Sequence, residues 1–255
     1  VKEFRNWPVG PKIQKELGLH KAWSFDMQQR CGTTLVAFKL ARDMIRADTT
    51  LKNILVVSGY RNSDLIHYPN SRVRWMYYLA AGGAACVIQR NCPKNEILDG
   101  HCISDGSFAW DVYVPSGGSA APMTVQDLEK ARQYLDVMDP AGMKERLERL
   151  SLSNWMLCID RVLEKCGCQR SDVNYLATLL VKKSAHDYLV NQLGIDPGQT
   201  RYLAEFGHHG QNDQILSLEL ALEENRLKDG DLVLMISAGI GYAWNATALR
   251  WGPVP

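Results

Sequence analysis

The sequence predicts an α/β protein built from two related halves, with helices covering both faces of its strands. An order of strand, turn, helix, break and strand occurs twice, early and late in the chain. Each copy ends on an apolar run without polar alternation, ILVVS (54–58) and LVLMIS (232–237), a pattern that suits central strands buried on both sides. The 255 residues, 46% hydrophobic and 22% charged, are enough to bury a full core.

In order along the chain, PKIQKELGL (11–19) reads as a short helix and KAWSFDM (21–27) as an alternating strand that runs into the polar turn QQRCG (28–32). From Thr33 the spacing of Leu35, Phe38, Leu40 and Met44 predicts a helix, which ADTTLKN (47–53) ends before the run ILVVSGY. The late copy has RYLAEF, the turn GHHGQN (207–212), the helix DQILSLELALEENRL, the break KDGD and the run LVLMISAG. Between the copies lie the Gly/Ala-rich YYLAAGGAACVIQR, the loop VPSGGSAAPM and a charged helical stretch over 139–167. The SGGSAAP segment is the best junction, dividing the chain near residue 117 into halves 1–117 and 118–255.

The bulk numbers exclude several classes of function. A formal net charge of +1 with both signs dispersed gives no basic stripe for nucleic acid. No apolar run approaches the roughly 20 residues that span a bilayer, and VKEFRNWPVG carries no hydrophobic signal core. The expectation is a cytoplasmic protein with no membrane partner. The 7 cysteines lack disulfide-framework spacing, which fits a reducing compartment. Cys166-Gly-Cys168 has one intervening residue and no neighbouring histidine, so no metal site is expected there.

Cys31 stands in a polar turn directly before a helix, where first-turn N–H groups and the helix dipole favour a thiolate able to attack a carbonyl carbon. The alternative is an inert core thiol, since cysteine is among the most buried residue types. His208 and His209 occupy the matching turn of the late copy, where a histidine could take a thiol proton or cap a helix. If the halves are related by a pseudo-twofold axis, these two turns face each other. SAGIGYAW (237–244), a glycine-punctuated turn after a strand, could aim backbone N–H groups at a developing oxyanion, or could simply pack tightly.

Taken together, SFDMQQRCGTTLVAFKLARDMI, ILVVSGY, LAAGGAACVI, FGHHGQNDQILSLELALEENRLKDGDLVLM and SAGIGYAWNATALRW resemble the β-ketoacyl-acyl carrier protein synthase III branch of the thiolase superfamily. The resemblance implies a thiolase-like fold, two related halves in an αβαβα layering, with the family's first strand and helices missing ahead of this sequence. It implies an enzyme that moves an acyl group from coenzyme A or a carrier-protein thioester onto Cys31 and then to an acceptor. No cofactor is implied beyond that thioester substrate. The implied oxyanion hole is the backbone N–H of Cys31 and that of Ile240, with Gly239 and Gly241 of the same loop as substrate-binding positions, and a homodimer or heterodimer is implied as the assembly.

Two departures change the expected chemistry. Leu179 stands where the family's catalytic histidine belongs, and His208 stands in the Phe206-Gly207-His208 turn where the family has its asparagine. The pair that steadies a malonyl-derived enolate is thereby altered, so the expectation is a Cys31–His208 dyad with decarboxylative condensation weakened or absent. His186, read as solvent-facing on a helix, is the rival base. Lys182 and Lys183 could attract phosphates, and Trp75, Met76, Tyr77 and Tyr78, with Arg72 and Arg74 beside them, could line an acyl tunnel, a dimer interface or the core. A non-catalytic partner subunit of a heterodimeric synthase and a thioester hydrolase are the alternative functions.

Overall fold

A computed structural model describes residues 7–254. Residues 1–6, part of the stretch without a signal core, lie outside the described residues. The elements in order are helix α1 (Val9–Glu16), helix α2 (Thr33–Ala47), strands β1 (Asn53–Arg61), β2 (Ala81–Gln89), β3 (Lys94–Ser104) and β4 (Val112–Tyr113), helix α3 (Val125–Glu129), strand β5 (Asp136–Val137), helix α4 (Pro140–Lys165), strand β6 (Val173–Thr178), helices α5 (Lys183–Leu193) and α6 (Asp213–Glu223), and strands β7 (Leu232–Gly239) and β8 (Ala243–Pro253).

Side-chain alternation along β7 organises the core. The strand sits inside a four-stranded sheet of order β3-β8-β7-β6, parallel to β6 and antiparallel to β8. Its Leu232, Leu234 and Ile236 join Trp155, Cys158 and Ile159 of α4 in one apolar cluster. Its Val233 and Met235 point to the other face and join Leu35 and Phe38 of α2 and Leu218 of α6 in a second cluster. Each such fully buried aliphatic side chain contributes about 1.5–3 kcal/mol of transfer free energy. Residues 232–237 are therefore covered on both faces, as their composition predicts.

The other apolar run behaves differently. Among the described residues β1 pairs only with β2, as an antiparallel ribbon in register from Asn53↔Gln89 to Arg61↔Ala81. Its inner residue Val56, with Cys86 and Ile88 of β2, packs against the α2 cluster, while Leu55 and Val57 on the outer face are exposed. ILVVS is thus half-buried rather than a central strand, because helices of the core cover one side of it. α1 shares a shallow outer pocket with Leu55, Val57 and Ala85 of the ribbon. The layers run α1, ribbon, α2 with α6, four-stranded sheet, and α4 with α5, an αβαβα order.

Two predicted strands are not strands. Residues 21–28 form an irregular connection tied to α1: Gln14 Nε2 donates to Ala22 O at 2.7 Å and the Asp26 carboxylate accepts from Val9 N at 3.0 Å. No strand lies alongside KAWSFDM among the described residues, so its alternation has no ladder to serve. RYLAEF likewise forms a turn, with the amides of Phe206 and Gly207 donating to Leu203 O at 3.0 and 3.2 Å. The two copies therefore share the turn, the helix it precedes and the strand beyond it, but not a strand ahead of the turn. The VPSGGSAAPM segment is irregular, yet β3, which precedes it, pairs with β8 of the same sheet from Lys94↔Pro253 to Ser104↔Ala243.

Candidate active site

Cys31 is fixed by a turn that the sequence spells out. Arg30 adopts φ 51°, an uncommon conformation outside glycine, and closes the turn. The Thr33 hydroxyl accepts from Gln29 N at 2.8 Å and donates to Arg30 O at 2.7 Å, tying the turn to the first residue of α2. A Cβ on Gly32 would lie 2.2 Å from Asn245 Nδ2, so only glycine lets the turn sit this close to β8. The Cys31 side chain is buried at 8% exposure and lines a cavity of about 1140 Å³.

The facing turn carries His208. Gly207 at φ 77° and Gly210 at φ 64° bend the chain so that His208 points inward. A parallel bridge between Leu79 and His208 seats the turn, the amide of His208 donating to Tyr78 O at 2.8 Å and that of Ala80 to His208 O at 2.9 Å. His208 Nε2 lies 3.1 Å from Cys31 Sγ. Its Nδ1 lies 2.5 Å from Oδ2 of Asp213, the first residue of α6, and since a carboxylate only accepts, Nδ1 carries the hydrogen.

Asp213 is fully buried, and its negative charge is met by three donors. Oδ2 also accepts from Leu180 N at 2.7 Å, and Oδ1 accepts from His209 N at 2.7 Å. Its place in the first turn of α6 adds the favourable end of the helix dipole. The three side chains form a line, thiol, imidazole and carboxylate. Burial alone would hold His208 below its ordinary value, but the opposed charge of Cys31 and the bonds to Asp213 and Cys31 outweigh it and raise the imidazole to about 10. A group in that position keeps a proton on the ring at neutral pH when Cys31 is charged.

The tight connection from β7 to β8 closes the third side. A Cβ on Gly239 would lie 2.5 Å from Gln29 O and 3.4 Å from Cys31 N, so this glycine presses the loop onto the Cys31 turn. Gly241 adopts φ 125°, open to glycine alone, and Tyr242 exchanges backbone bonds with Asp105 at 2.9 and 3.3 Å. Neither glycine lines the cavity, whereas Ala238, Ile240 and Tyr242 do. The amides of Cys31 and Ile240 donate to no protein acceptor among the described residues.

Trp75, Met76 and Tyr78 line the same cavity, while Tyr77 turns its hydroxyl to the backbone of Tyr68 and Asn70. Leu179 is 5% exposed and contributes an apolar wall. Trp155 and Trp244 pin α4 to the ends of β7 and β8, Trp155 Nε1 donating to Ser237 O at 3.0 Å and Trp244 Nε1 to Ser151 Oγ at 3.1 Å.

His186 is not solvent-facing: it is 4% exposed, with Nε2 3.3 Å from Thr200 Oγ1 and its ring 5.1 Å from that of Tyr202. It shares the inward stripe of α5 with Leu189 and Leu193 and does not line the cavity. Lys183 pairs with Asp187, and Arg72 with Asp136. His209 packs on Gly82, where a Cβ would lie 2.7 Å from its Cδ2. Among the described residues no group of three His, Cys, Asp or Glu side chains is placed to hold a metal ion, and no helix is long and apolar enough to cross a membrane.

A layered α/β frame that brings a cysteine turn and a histidine turn together from its two ends defines a thiolase-fold protein. Family models place it within that class: 3-oxoacyl-[acyl-carrier-protein] synthase III matches residues 25–106 and the C-terminal model of the same family matches 163–251. The β-ketoacyl-[acyl-carrier-protein] synthase III of Symbiobacterium thermophilum is 27% identical over 242 residues, 94% of this chain and 71% of that protein. The 3-oxoacyl-[acyl-carrier-protein] synthase III structure from Aquifex aeolicus superposes with a TM-score of 0.80 at 20% identity, covering 98% of this chain and 74% of the other. The corresponding Thermus thermophilus structure gives 0.81 at 20% identity, over 100% and 75%. The chain belongs to the 3-oxoacyl-[acyl-carrier-protein] synthase III family.

Proposed function

We propose that the protein is an acyltransferase that carries an acyl group on Cys31, with His208 as base and Asp213 as the group that orients and supports it. The observation that carries this reading is the 3.1 Å approach of His208 Nε2 to Cys31 Sγ at the wall of the cavity. In the first half-reaction the thiol proton moves onto Nε2, and the thiolate this leaves, paired with the imidazolium, attacks the thioester carbonyl through Sγ. The oxyanion forms beside the unspent amides of Cys31 and Ile240, a type of interaction worth about 3–4 kcal/mol per donor elsewhere. Collapse breaks the carbon–sulfur bond to the donor, and the departing thiolate takes the proton from Nε2.

The second half-reaction reverses the roles. An acceptor loses its proton to Nε2 as it attacks the Cys31 thioester, and Sγ leaves as the group that His208 reprotonates. A hydroxyl or amine acceptor suits this site better than a malonyl-derived carbanion. Leu179 supplies no proton or hydrogen bond to steady an enolate, whereas His208 with Asp213 can deprotonate an O–H or N–H group. Coenzyme A or an acyl carrier protein brings the acyl group, no cofactor takes part, and the working form is a cytoplasmic dimer.

The test loads the protein from acyl-coenzyme A and divides it between simple alcohols or amines and malonyl-coenzyme A. Transfer to the alcohol or amine without release of carbon dioxide is expected. Carbon dioxide release with a condensed product contradicts the acceptor class. Hydrolysis at the same rate with and without any acceptor contradicts acyl transfer.

A further inference from the structure

His208 has more than two partners. The ring of Tyr60, at the end of β1, lies 5.9 Å from the imidazole centroid at 59°, and the ring of Tyr78 lies 5.9 Å from it at 56°. These two tyrosines come from separate parts of the chain, yet both are locked to the His208 turn through glycines. A Cβ on Gly210 would lie 2.2 Å from Tyr60 Cδ2, and one on Gly207 would lie 2.7 Å from Tyr78 O. The absent side chains at 207 and 210 are what let both neighbours close on the histidine.

We propose that Tyr60 and Tyr78 are positioning residues whose rings bracket the His208 imidazole and hold its Nε2 on Cys31 Sγ. This inference rests on the acyltransferase reading for its purpose but on ring geometry alone for its substance. The charged and titratable groups that face His208 are Cys31 from the turn before α2, Asp213 from α6, and these two tyrosines. The Cβ–Cγ bond and the hydrogen bond to Asp213 hold one edge of the ring and leave its Nε2 edge room to rock. The two tilted aromatic neighbours limit that motion. Burial first, then the nearby charge of Cys31, hold the Tyr60 hydroxyl protonated, so the ring meets His208 as a neutral surface.

The experiment follows alkylation of Cys31 by iodoacetamide, which needs no acyl donor. Sulfur forms a bond to the methylene carbon, iodide leaves, and the thiol proton passes to His208. Peptide mass mapping isolates Cys31 from the other thiols. Replacing Tyr60→Leu should slow Cys31 alkylation about 10- to 100-fold, the scale of an ångström-level misplacement. Tyr60→Phe, which keeps the ring, should remain within about threefold of wild type, since the hydroxyl bonds to Asn62 and not to His208. On a His208→Ala background, Tyr60→Leu should cause no further loss, because a residue acting through His208 has nothing left to position.

An unslowed Tyr60→Leu protein, a Tyr60→Phe protein as slow as Tyr60→Leu, or a full further loss on the His208→Ala background overturns the proposal. If Tyr60→Leu gives no cooperative melting transition, Tyr78→Leu, at a position 41% exposed, takes the same comparisons, and an unslowed rate there overturns it. Failure of the enzymatic reading looks different. Wild type would then alkylate with these dependences intact but form no adduct from acyl-coenzyme A.

Discussion

Replacing Asp213→Asn removes one charge and changes almost no volume. The carboxylate accepts from His208 Nδ1 at 2.5 Å, Leu180 N at 2.7 Å and His209 N at 2.7 Å. An asparagine has one acceptor oxygen for these three donors, and its amide group must face at least one of them. If the amide faces the imidazole, Nδ1 becomes an acceptor and the ring hydrogen moves to Nε2, where it cannot receive the thiol proton. Loss of a correctly protonated general base costs about 10²- to 10⁴-fold, or about 2.7–5.4 kcal/mol of transition-state stabilisation. The structural cost is smaller, about 1.5–3 kcal/mol for a lost hydrogen bond to a charged group, within the 5–15 kcal/mol by which domains are typically stable. Rapid-quench acylation of Cys31, with thermal melting as a control, separates the two effects. A folded Asp213→Asn protein that acylates within twofold of wild type would refute the role given to the carboxylate.

Three further outcomes follow from the same geometry. Gly239→Ala places a methyl 2.5 Å from the backbone oxygen of Gln29, which cannot swing aside, so the Ile240 loop must retreat and acylation should fall about 10²-fold, as measured by adduct formation on Cys31. Gly32→Ala drives a methyl to 2.2 Å from Asn245 Nδ2, and this overpacking should cost about 1–3 kcal/mol, read as a lower melting temperature. Because His208 is raised from 6.5 to about 10, its stabilising contribution is complete below about pH 6.5 and is lost as pH rises through about 10. Wild-type melting temperature should therefore decline more steeply across that window than that of His208→Gln, as calorimetry at stepped pH would show.

Cys31 and His208 are legible as candidates because each stands in a polar turn directly before an apolar helix, and the family resemblance singles them out; that the two turns meet is what the structure adds. Asp213 is not legible in this way. Five residues beyond His208, in QND before ILSLEL, it reads as an ordinary acidic first-turn residue. Only the bend made by Gly207 and Gly210 turns its carboxylate onto Nδ1. Tyr60 was hidden in the same way, as the last apolar residue of ILVVSGY. His186 is buried and not solvent-facing, and its spacing holds the answer: 186, 189 and 193 fall on one helical stripe with two leucines. KAWSFDM alternates like a strand, but alternation describes side chains, and a strand also needs a neighbour for its backbone. ILVVS and LVLMIS are both unbroken apolar runs that end in serine, yet they differ in burial for the same reason, since partners and covering layers are set by distant parts of the chain.

The most direct measurement is the early time course of adduct formation on the Cys31 peptide after mixing with acyl-coenzyme A, in wild type and in His208→Ala. Wild type should load Cys31 alone among the 7 cysteines, and His208→Ala should load it at least about 10²-fold more slowly. An adduct on another residue, or equal rates in the two proteins, would contradict the proposal that a sulfur and an imidazole 3.1 Å apart carry the chemistry.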